Sequence, residues 1–137
     1  MAGLVNAIEG ILAVLKGGDA AVYSEYEKIP VCKHEDIYAA VGISKIVIEN
    51  GYSGEAGEYY SEKYSLRIRI LGKPDTPPSE LYEMLDTQLL DRLSASGYSV
   101  NHAEISAPVQ DNGLKRIVLE CTAEISGRTE EKNESQS

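Results

Sequence analysis

The chain has 137 residues, of which 42% are hydrophobic and 26% charged, so it fits one globular domain with a sizeable core. Its 22 acidic residues against 13 basic ones give a net charge of −9, which argues against a protein that binds bulk DNA or an anionic membrane. The aromatic residues are nine tyrosines without Phe or Trp, and tyrosine suits protein interfaces as well as cores because its ring is apolar and its tip polar.

The cysteines and the N-terminal segment predict a cytoplasmic protein. Cys32 and Cys121 lie far apart in the chain without CxxC spacing, which predicts two reduced thiols rather than a disulfide. The apolar stretch from Leu4 to Leu15 is too short and too interrupted to span a bilayer. No basic segment with a cleavage site accompanies it, so we do not expect a signal peptide.

The first element is predicted to be an amphipathic helix that ends near Lys16, where Gly17-Gly18 supplies a flexible stop. Its apolar face consists of Leu4, Ile8, Ile11, Leu12 and Leu15. Residues 20–26 then alternate in the manner of a short strand. Pro30 restricts the piece that follows to a sheet edge or a loop.

The longest extended segment is predicted at 36–50, and its apolar pattern changes phase part-way along. The first part of the pattern is formed by Ile37, Ala39, Val41 and Ile43. Ile46 and Ile48 continue it in the opposite phase, which requires one extra residue, so we predict a β-bulge or bend within 42–45. The segment 51–57 contains three glycines and little to bury, which predicts a mobile loop between two antiparallel strands.

A strand followed by a helix is predicted over 58–98 and forms the clearest architectural unit of the chain. The buried face of the strand is predicted to hold Tyr60, Tyr64, Leu66, Ile68 and Ile70. The pattern then changes to helical spacing over 77–94, with leucines four residues apart at positions 81, 85, 89 and 93. Thr76 is the predicted N-cap and Pro77 the first helical residue, and Gly97 ends the unit.

The last two strands are predicted at 98–107 and 114–126, joined at the turn around Asp111-Asn112-Gly113. The inward residues of the final strand are Ile117, Leu119, Cys121, Ala123 and Ile125. The outward residues are Arg116, Glu120, Thr122 and Glu124, with Val118 among them. The sequence after Gly127 is polar, which predicts a disordered C-terminal tail over 127–137.

The predicted element order is α-β-β-β-α-β-β, which places the chain in the α+β class. We predict a single domain over 1–126, built on one antiparallel or mixed β-sheet of four to five strands with both helices packed on one face. The other face of the sheet is then either solvent-exposed or covered by a partner.

The residue types that perform chemistry are present but do not form a motif. The pair His102-x-Glu104 and the segment 32–36 each lack three convergent ligands at zinc-like spacing, so we predict no metal site. The sequence contains no Gly-x-Ser-x-Gly elbow, no Cys-His signature and no phosphate-binding glycine loop. We therefore predict that the protein is not an enzyme and binds no cofactor.

Lys63, Arg67 and Arg69 are predicted to form a basic stripe on the outer face of one strand. The stripe could touch nucleic acid phosphates, or it could pair across strands with Glu120 and Glu124, whose alternation matches. We favour the second interpretation, which also predicts that the last strand lies beside the 58–71 strand. No sequence-specific binding of nucleic acid is expected.

Three further tyrosines, Tyr52, Tyr59 and Tyr60, lie in and beside the glycine-rich loop. A mobile hairpin tip that carries tyrosines is a reasonable element for docking to another protein. The alternative is an ordinary flexible loop, and the sequence does not separate the two. The candidate interface residues are therefore these tyrosines and the basic stripe.

The succession of elements resembles the tail terminator (tail-completion) proteins of long-tailed phages and related contractile injection devices. The resemblance covers about residues 4–126. It rests on a helix ending in Gly-Gly, a strand carrying Tyr-x-Glu-Tyr, a long Ile-Tyr-Ala-Ala-Val-Gly-Ile strand and a Tyr-x-Leu-Arg-Ile-Arg-Ile strand. A Pro-x-x-Glu-Leu-Tyr helix and a closing hairpin complete it. Other head–tail joining (neck) proteins, or a small phage-encoded adaptor or regulator, share much of this succession and remain alternatives.

The resemblance implies a small α+β subunit that forms a ring, commonly a hexamer, on the end of a completed tail tube. Such a ring stops further polymerisation of the tube and presents a surface to the head-side connector. The expected partners are therefore further copies of the chain, the tail-tube protein and the connector. The expected location is the cytoplasm of the bacterial host during assembly and then the tail of the virion.

Overall fold

The structure is a computed structural model that describes residues 4–25, 36–52, 58–127 and 130–131. The helical elements are α1 (Leu4–Lys16), α2 (Pro78–Glu83), a π-helix (Met84–Leu90) and α3 (Asp91–Ala95). The strands are β1 (Ala21–Ser24), β2 (Ile37–Tyr52), β3 (Glu58–Gly72), β4 (Ser99–Ile105), β5 (Val109–Asp111), β6 (Arg116–Ser126) and β7 (Glu130–Glu131).

The described strands form one mixed sheet in the order β1-β2-β3-β6-β4, with β5 on β6 and β7 on β3. β1 runs parallel to β2, and the other neighbouring strands are antiparallel. Buried side chains of α1 and of the helical segment 78–95 share one core with one face of the sheet. The predicted α+β fold, with a mixed sheet and the helices on one face, is confirmed. The described sheet has seven strands rather than the predicted four to five, because the short strands β5 and β7 add to it. None of the helices in the described ranges is long and apolar enough to cross a bilayer.

The predicted bulge in β2 is confirmed. Ile43 pairs with Leu66 and Lys45 pairs with Ser65, so Ser44 is the extra residue. Because the bulge restores the phase, Ile43 and Ile46 both pack against the core on the helix side. The pairing of β2 with β3 continues to Tyr52 and Glu58, so residues 51 and 52 belong to the strand rather than to the predicted loop. Residues 53–57 lie outside the described chain.

The N-cap predicted for the second helical segment is wrong by one residue. Pro77 is the N-cap, with an extended backbone (φ −63°, ψ 137°), and Pro78 is the first helical residue. The physical reason is the Pro-Pro pair, because a proline disfavours the helical conformation of the residue before it. Thr76 therefore lies outside the helix. The N-terminus of the helix, at Pro77, has no side-chain capping hydrogen bond.

The π-helix explains why leucines spaced four residues apart all face the core. Successive α-helical residues turn by about 100°, so a four-residue spacing drifts by about 40° at each step along the stripe. A π-helix, with i→i+5 hydrogen bonds, uses more residues per turn and offsets the drift. All four leucines are accordingly buried, as is the neighbouring methionine: Leu81, Met84, Leu85, Leu89 and Leu93.

Gly97 ends the helical segment as predicted, with a positive φ of 97°. The amide of Tyr98 donates to the Leu93 carbonyl over 3.0 Å, and that of Gly97 donates to the Ser94 carbonyl over 3.2 Å. This pair of bonds is a Schellman motif, which satisfies carbonyls that the helix itself leaves without donors. The turn delivers the chain directly into β4.

The final strand has the predicted alternation, and β4 lies antiparallel to it as expected. Its inward residues are buried: Ile117, Leu119, Cys121, Ala123 and Ile125. Glu130 and Glu131 pair with the β3 residues Tyr60 and Tyr59, so these two residues form a strand where a disordered tail was predicted. Residues 128–129 and 132–137 lie outside the described chain, as do 26–35, where the sequence predicts an edge or loop around Pro30.

Candidate functional site

The sheet face opposite the helices, here called the open face, has an apolar row at one end. Tyr38, Leu71 and Val118 are cross-strand neighbours on β2, β3 and β6, and each is less than 10% exposed. The Tyr23 ring meets Tyr38 edge-on, with 6.0 Å between ring centroids, and the Arg116 guanidinium carbon lies 5.3 Å from the Tyr38 centroid. The open face was predicted to be solvent-exposed or covered by a partner, with Val118 facing outward. Val118 does face outward, but it is buried in this second apolar cluster.

Beyond the apolar row, the open face becomes charged, and the predicted basic stripe lies there. β6 lies beside β3 as predicted, with Arg69 directly opposite Glu120 and Arg67 opposite Thr122. Within the described chain, no hydrogen bond or ion pair joins Arg69 to Glu120, so the predicted cross-strand pair is not formed. Lys63 lies opposite Ser126 at the far end of the stripe and is exposed.

Arg67 instead binds Glu25, which no pattern in the sequence singles out. Arg67 Nη2 donates to Glu25 Oε1 over 2.7 Å, and Nε donates to Oε2 over 3.1 Å, which is a two-pronged ion pair. Glu25 follows β1, and Arg67 lies two strands away on β3, so the Glu25 side chain must cross β2. It crosses at Gly42, the Cα partner of Arg67.

Gly42 makes that crossing possible. A Cβ atom at this position would lie 1.8 Å from Glu25 Oε2 and 2.6 Å from its carboxyl carbon. The sequence could have indicated this contact only through Gly42, since a glycine inside a strand often marks the close approach of another group. The approaching group can be identified only from the sheet topology, because Glu25 reaches Gly42 only when β1 runs beside β2.

A groove on the open face, here called the Arg69 groove, has a volume of about 430 Å³. It is lined by Arg69, Ser106, Ala107, Val109, Gln110, Asp111, Asn112, Leu114, Val118 and Glu120. Val109 and Leu114 are more than half exposed. The Nε atom of Arg69 is buried and has no hydrogen-bond partner within the described chain, although the guanidinium carries five donors. Sequence patterning could not locate the groove, because the β4–β5 segment forms its rim.

The described residues include no activated nucleophile or metal centre. Burial raises the pKa of the Cys121 thiol to about 11, so the thiol stays protonated and unreactive near neutral pH. His102 Nε2 lies 3.7 Å from Glu104 Oε2, but within the described ranges no third ligand joins them or any similar pair. Asp36 forms an ion pair with Lys73, whose hydrogen bond and positive charge lower the pKa of the Asp36 carboxyl.

A polar cluster closes one end of the helix-side core. The Tyr64 hydroxyl donates a hydrogen bond to a carboxylate oxygen of Glu62. Burial, followed by this bond, raises the pKa of Tyr64. Burial and the Glu62 charge likewise raise the pKa of Tyr98. Both phenols therefore stay protonated, and the cluster satisfies polar tips at the core boundary rather than creating a reactive base.

The predicted interface tyrosines lie at the tip of the β2–β3 hairpin. In the backbone pairing, Tyr52 is opposite Glu58, Tyr59 is opposite Gly51, and Tyr60 is opposite Asn50. The structure thus places them together, at the opposite end of the hairpin from the Arg69 groove.

The comparison with known proteins adds no family. No known family model matches the chain, and no curated protein matches its sequence. The site is therefore interpreted from its geometry.

We expect Gly42→Ala to destabilise the protein by about 1 kcal/mol, because the new methyl group displaces the Glu25 carboxylate from Arg67. Urea unfolding measures the change. The control is the same substitution in a Glu25→Ala background, where the obstructing carboxylate is absent. There the sign should reverse to a gain of about 0.5 kcal/mol, since alanine is preferred over glycine in a strand. Equal effects in both backgrounds would show that the crossing is not what requires glycine.

Proposed function

We propose that the chain is a tail terminator: a subunit of a ring, hexameric in the simplest case, that caps a completed phage or phage-like tail tube and contacts the head-side connector. The observation that carries the proposal is the arrangement of the two sheet faces. The order of the elements along the chain, which resembles that of the family, supports it further. Both helices cover one face, while the open face presents an apolar row, a groove and charged side chains. The subunit thus offers surface for assembly.

The β2–β3 hairpin supports the same proposal. β1 pairs with β2 only as far as Val41, whereas β2 continues to Tyr52. Within the described chain no strand pairs with the outer edge of β2 beyond that point. A long hairpin with one unpaired edge and tyrosines at its tip is suited to reach a neighbouring subunit or the tube. An assembly function also fits the absence of an activated catalytic group from the described residues.

Shortening the hairpin tip is expected to abolish capping of the tube while the subunit stays folded. Removing residues 51–57 joins Asn50 to Glu58 and leaves 58–59 as a two-residue connection between the paired residues Asn50 and Tyr60. Replacing those two residues by Asn-Gly gives the connection a turn sequence that two-residue hairpins favour. The assay mixes the variant with polymerising tube protein and measures tube lengths by negative-stain microscopy.

The wild-type chain should give tubes that end in a ring and grow no further, and the shortened variant should give uncapped tubes that continue to grow. A control that keeps the length of the tip and changes only Tyr52 to Ser separates the contribution of length from that of one tyrosine. Full capping by the shortened variant would contradict a role for the tip. Uncapped growth with the wild-type chain would contradict the terminator proposal itself.

A further inference from the structure

The large exposed hydrophobic side chains in the described chain fall into two groups on opposite sides of the sheet. Val109 and Leu114 line the Arg69 groove, while Val5 and Tyr82 lie on the helices and Ile105 pairs with Cys121, a residue of the helix-side core. From this division we propose that the Arg69 groove receives Tyr82 and Asp86 of a second copy of the chain. The inference rests on the proposed ring and names the contact between its subunits.

The groove needs an acceptor that the described chain does not provide. A buried guanidinium N–H without a partner destabilises the fold, because the group has lost its water without gaining an acceptor, and Arg69 Nε is in that state. Glu120 lies across the strand but makes no ion pair with Arg69. A carboxylate that enters the groove can accept two parallel hydrogen bonds from the guanidinium after a small rotation of the Arg69 side chain.

The other wall of the groove needs a donor, so its occupant must supply a donor as well as the acceptor for Arg69. Glu120 lines the groove with its own negative charge, and Asp111 Oδ1 already accepts the Leu114 amide over 2.9 Å. A tyrosine offers an aromatic ring for Val109 and Leu114 and a hydroxyl that can donate to Glu120.

α2 and the π-helix present this combination. Tyr82 is 41% exposed, the only large hydrophobic side chain so exposed in the described segment 78–95. Asp86 follows four residues later and is exposed, so ring and carboxylate project from neighbouring turns of the same side. Because the helices and the groove lie on opposite faces of the sheet, one chain cannot make the contact with itself. Two different patches meet, so the contact is head-to-tail, which a ring requires.

Disulfide trapping tests this contact in the full chain. Ser79 lies one turn before Tyr82, and Asn112 lines the groove, and both side chains are exposed. A chain carrying Ser79→Cys and Asn112→Cys, in a Cys32→Ser background, should give a ladder of dimers, trimers and larger species on mild oxidation. Each single-cysteine variant should stop at dimers, because only a head-to-tail contact pairs the two different positions.

The matched control adds Tyr82→Ser or Val5→Ser to the trapped chain, since both remove an exposed apolar side chain from a helix and neither should affect folding. Tyr82→Ser should reduce the trapped oligomers at least tenfold, as should Arg69→Gln, while Val5→Ser should leave the ladder unchanged. No ladder, or a ladder unaffected by Tyr82→Ser, overturns the proposed contact. Capping by the unmodified chain is measured separately, so intact capping without the ladder overturns the contact and leaves the terminator proposal standing.

Discussion

Leu89→Ala is expected to lower the free energy of unfolding by about 2–5 kcal/mol, a large share of the stability of a domain of this size. Leu89 is fully buried in the π-helix and belongs to the core that α1 and the helical segment 78–95 share with the sheet. Truncation removes the buried methyl groups and leaves a cavity that the packed leucines on either side cannot fill. Urea unfolding with an unchanged m-value measures the loss.

The control for this substitution is Leu114→Ala. Leu114 is 52% exposed in the turn before β6, so the same change in chemistry should alter the unfolding free energy by no more than about 0.5 kcal/mol. Similar losses at the two positions would mean that Leu89 does not occupy the core. Because Leu114 borders the Arg69 groove, its variant should also weaken self-association without affecting stability.

The parts of the fold that the sequence predicts are those in which periodicity alone decides which face a residue occupies. The alternation in β3 and β6 predicts their buried residues. The prediction that the two strands lie side by side is confirmed, although the Arg69–Glu120 ion pair from which it was argued does not form. The phase change between Ile43 and Ile46 requires a bulge wherever the strand lies. Such patterns reflect burial, which dominates the free energy of folding.

The parts that the sequence does not predict depend on which strands become neighbours. Glu25 finds Arg67 only because β1 runs parallel to β2, and the apolar row needs Tyr38, Leu71 and Val118 to be in register across three strands. The π-helix is also not predicted. Four leucines spaced by four residues drift by only about 120° on an α-helix, which the apolar stripe of an ordinary amphipathic helix accommodates.

The candidate site likewise has parts that the sequence predicts and parts that depend on the folded structure. The basic stripe and the hairpin tip were predictable from alternation and from glycine content, and the structure gives both a position in the sheet. The Arg69 groove was not predictable, because its rim is formed by residues 106–114, whose pattern in the sequence is that of an ordinary turn. Its two functional signs, an unpartnered buried N–H and clustered exposed aliphatic groups, exist only in the folded chain.

Deleting Ser44 is expected to destabilise the protein by roughly 2–4 kcal/mol, because it removes the extra residue that lets both halves of β2 face the core. Without it, the alternation inverts on one side of the deletion. If the first half of the strand keeps its pairing, Ile46 turns from the helix side to the open face, and if the second half does, Ala39 and Val41 leave the core instead. Either outcome exposes apolar groups and brings polar ones to the helices.

Ser44→Ala is the control for the deletion, since it keeps the extra residue and removes only an exposed hydrogen bond from Ser44 Oγ to the Ser65 carbonyl, 3.2 Å long. We expect it to change the unfolding free energy by about 0.5 kcal/mol or less. A deletion as mild as this substitution would show that β2 tolerates a shift in register. Because the hairpin beyond the bulge carries the tyrosine tip, a deletion that alters its twist should also abolish capping of tail tubes, and this links the most predictable irregularity of the sheet to the proposed function.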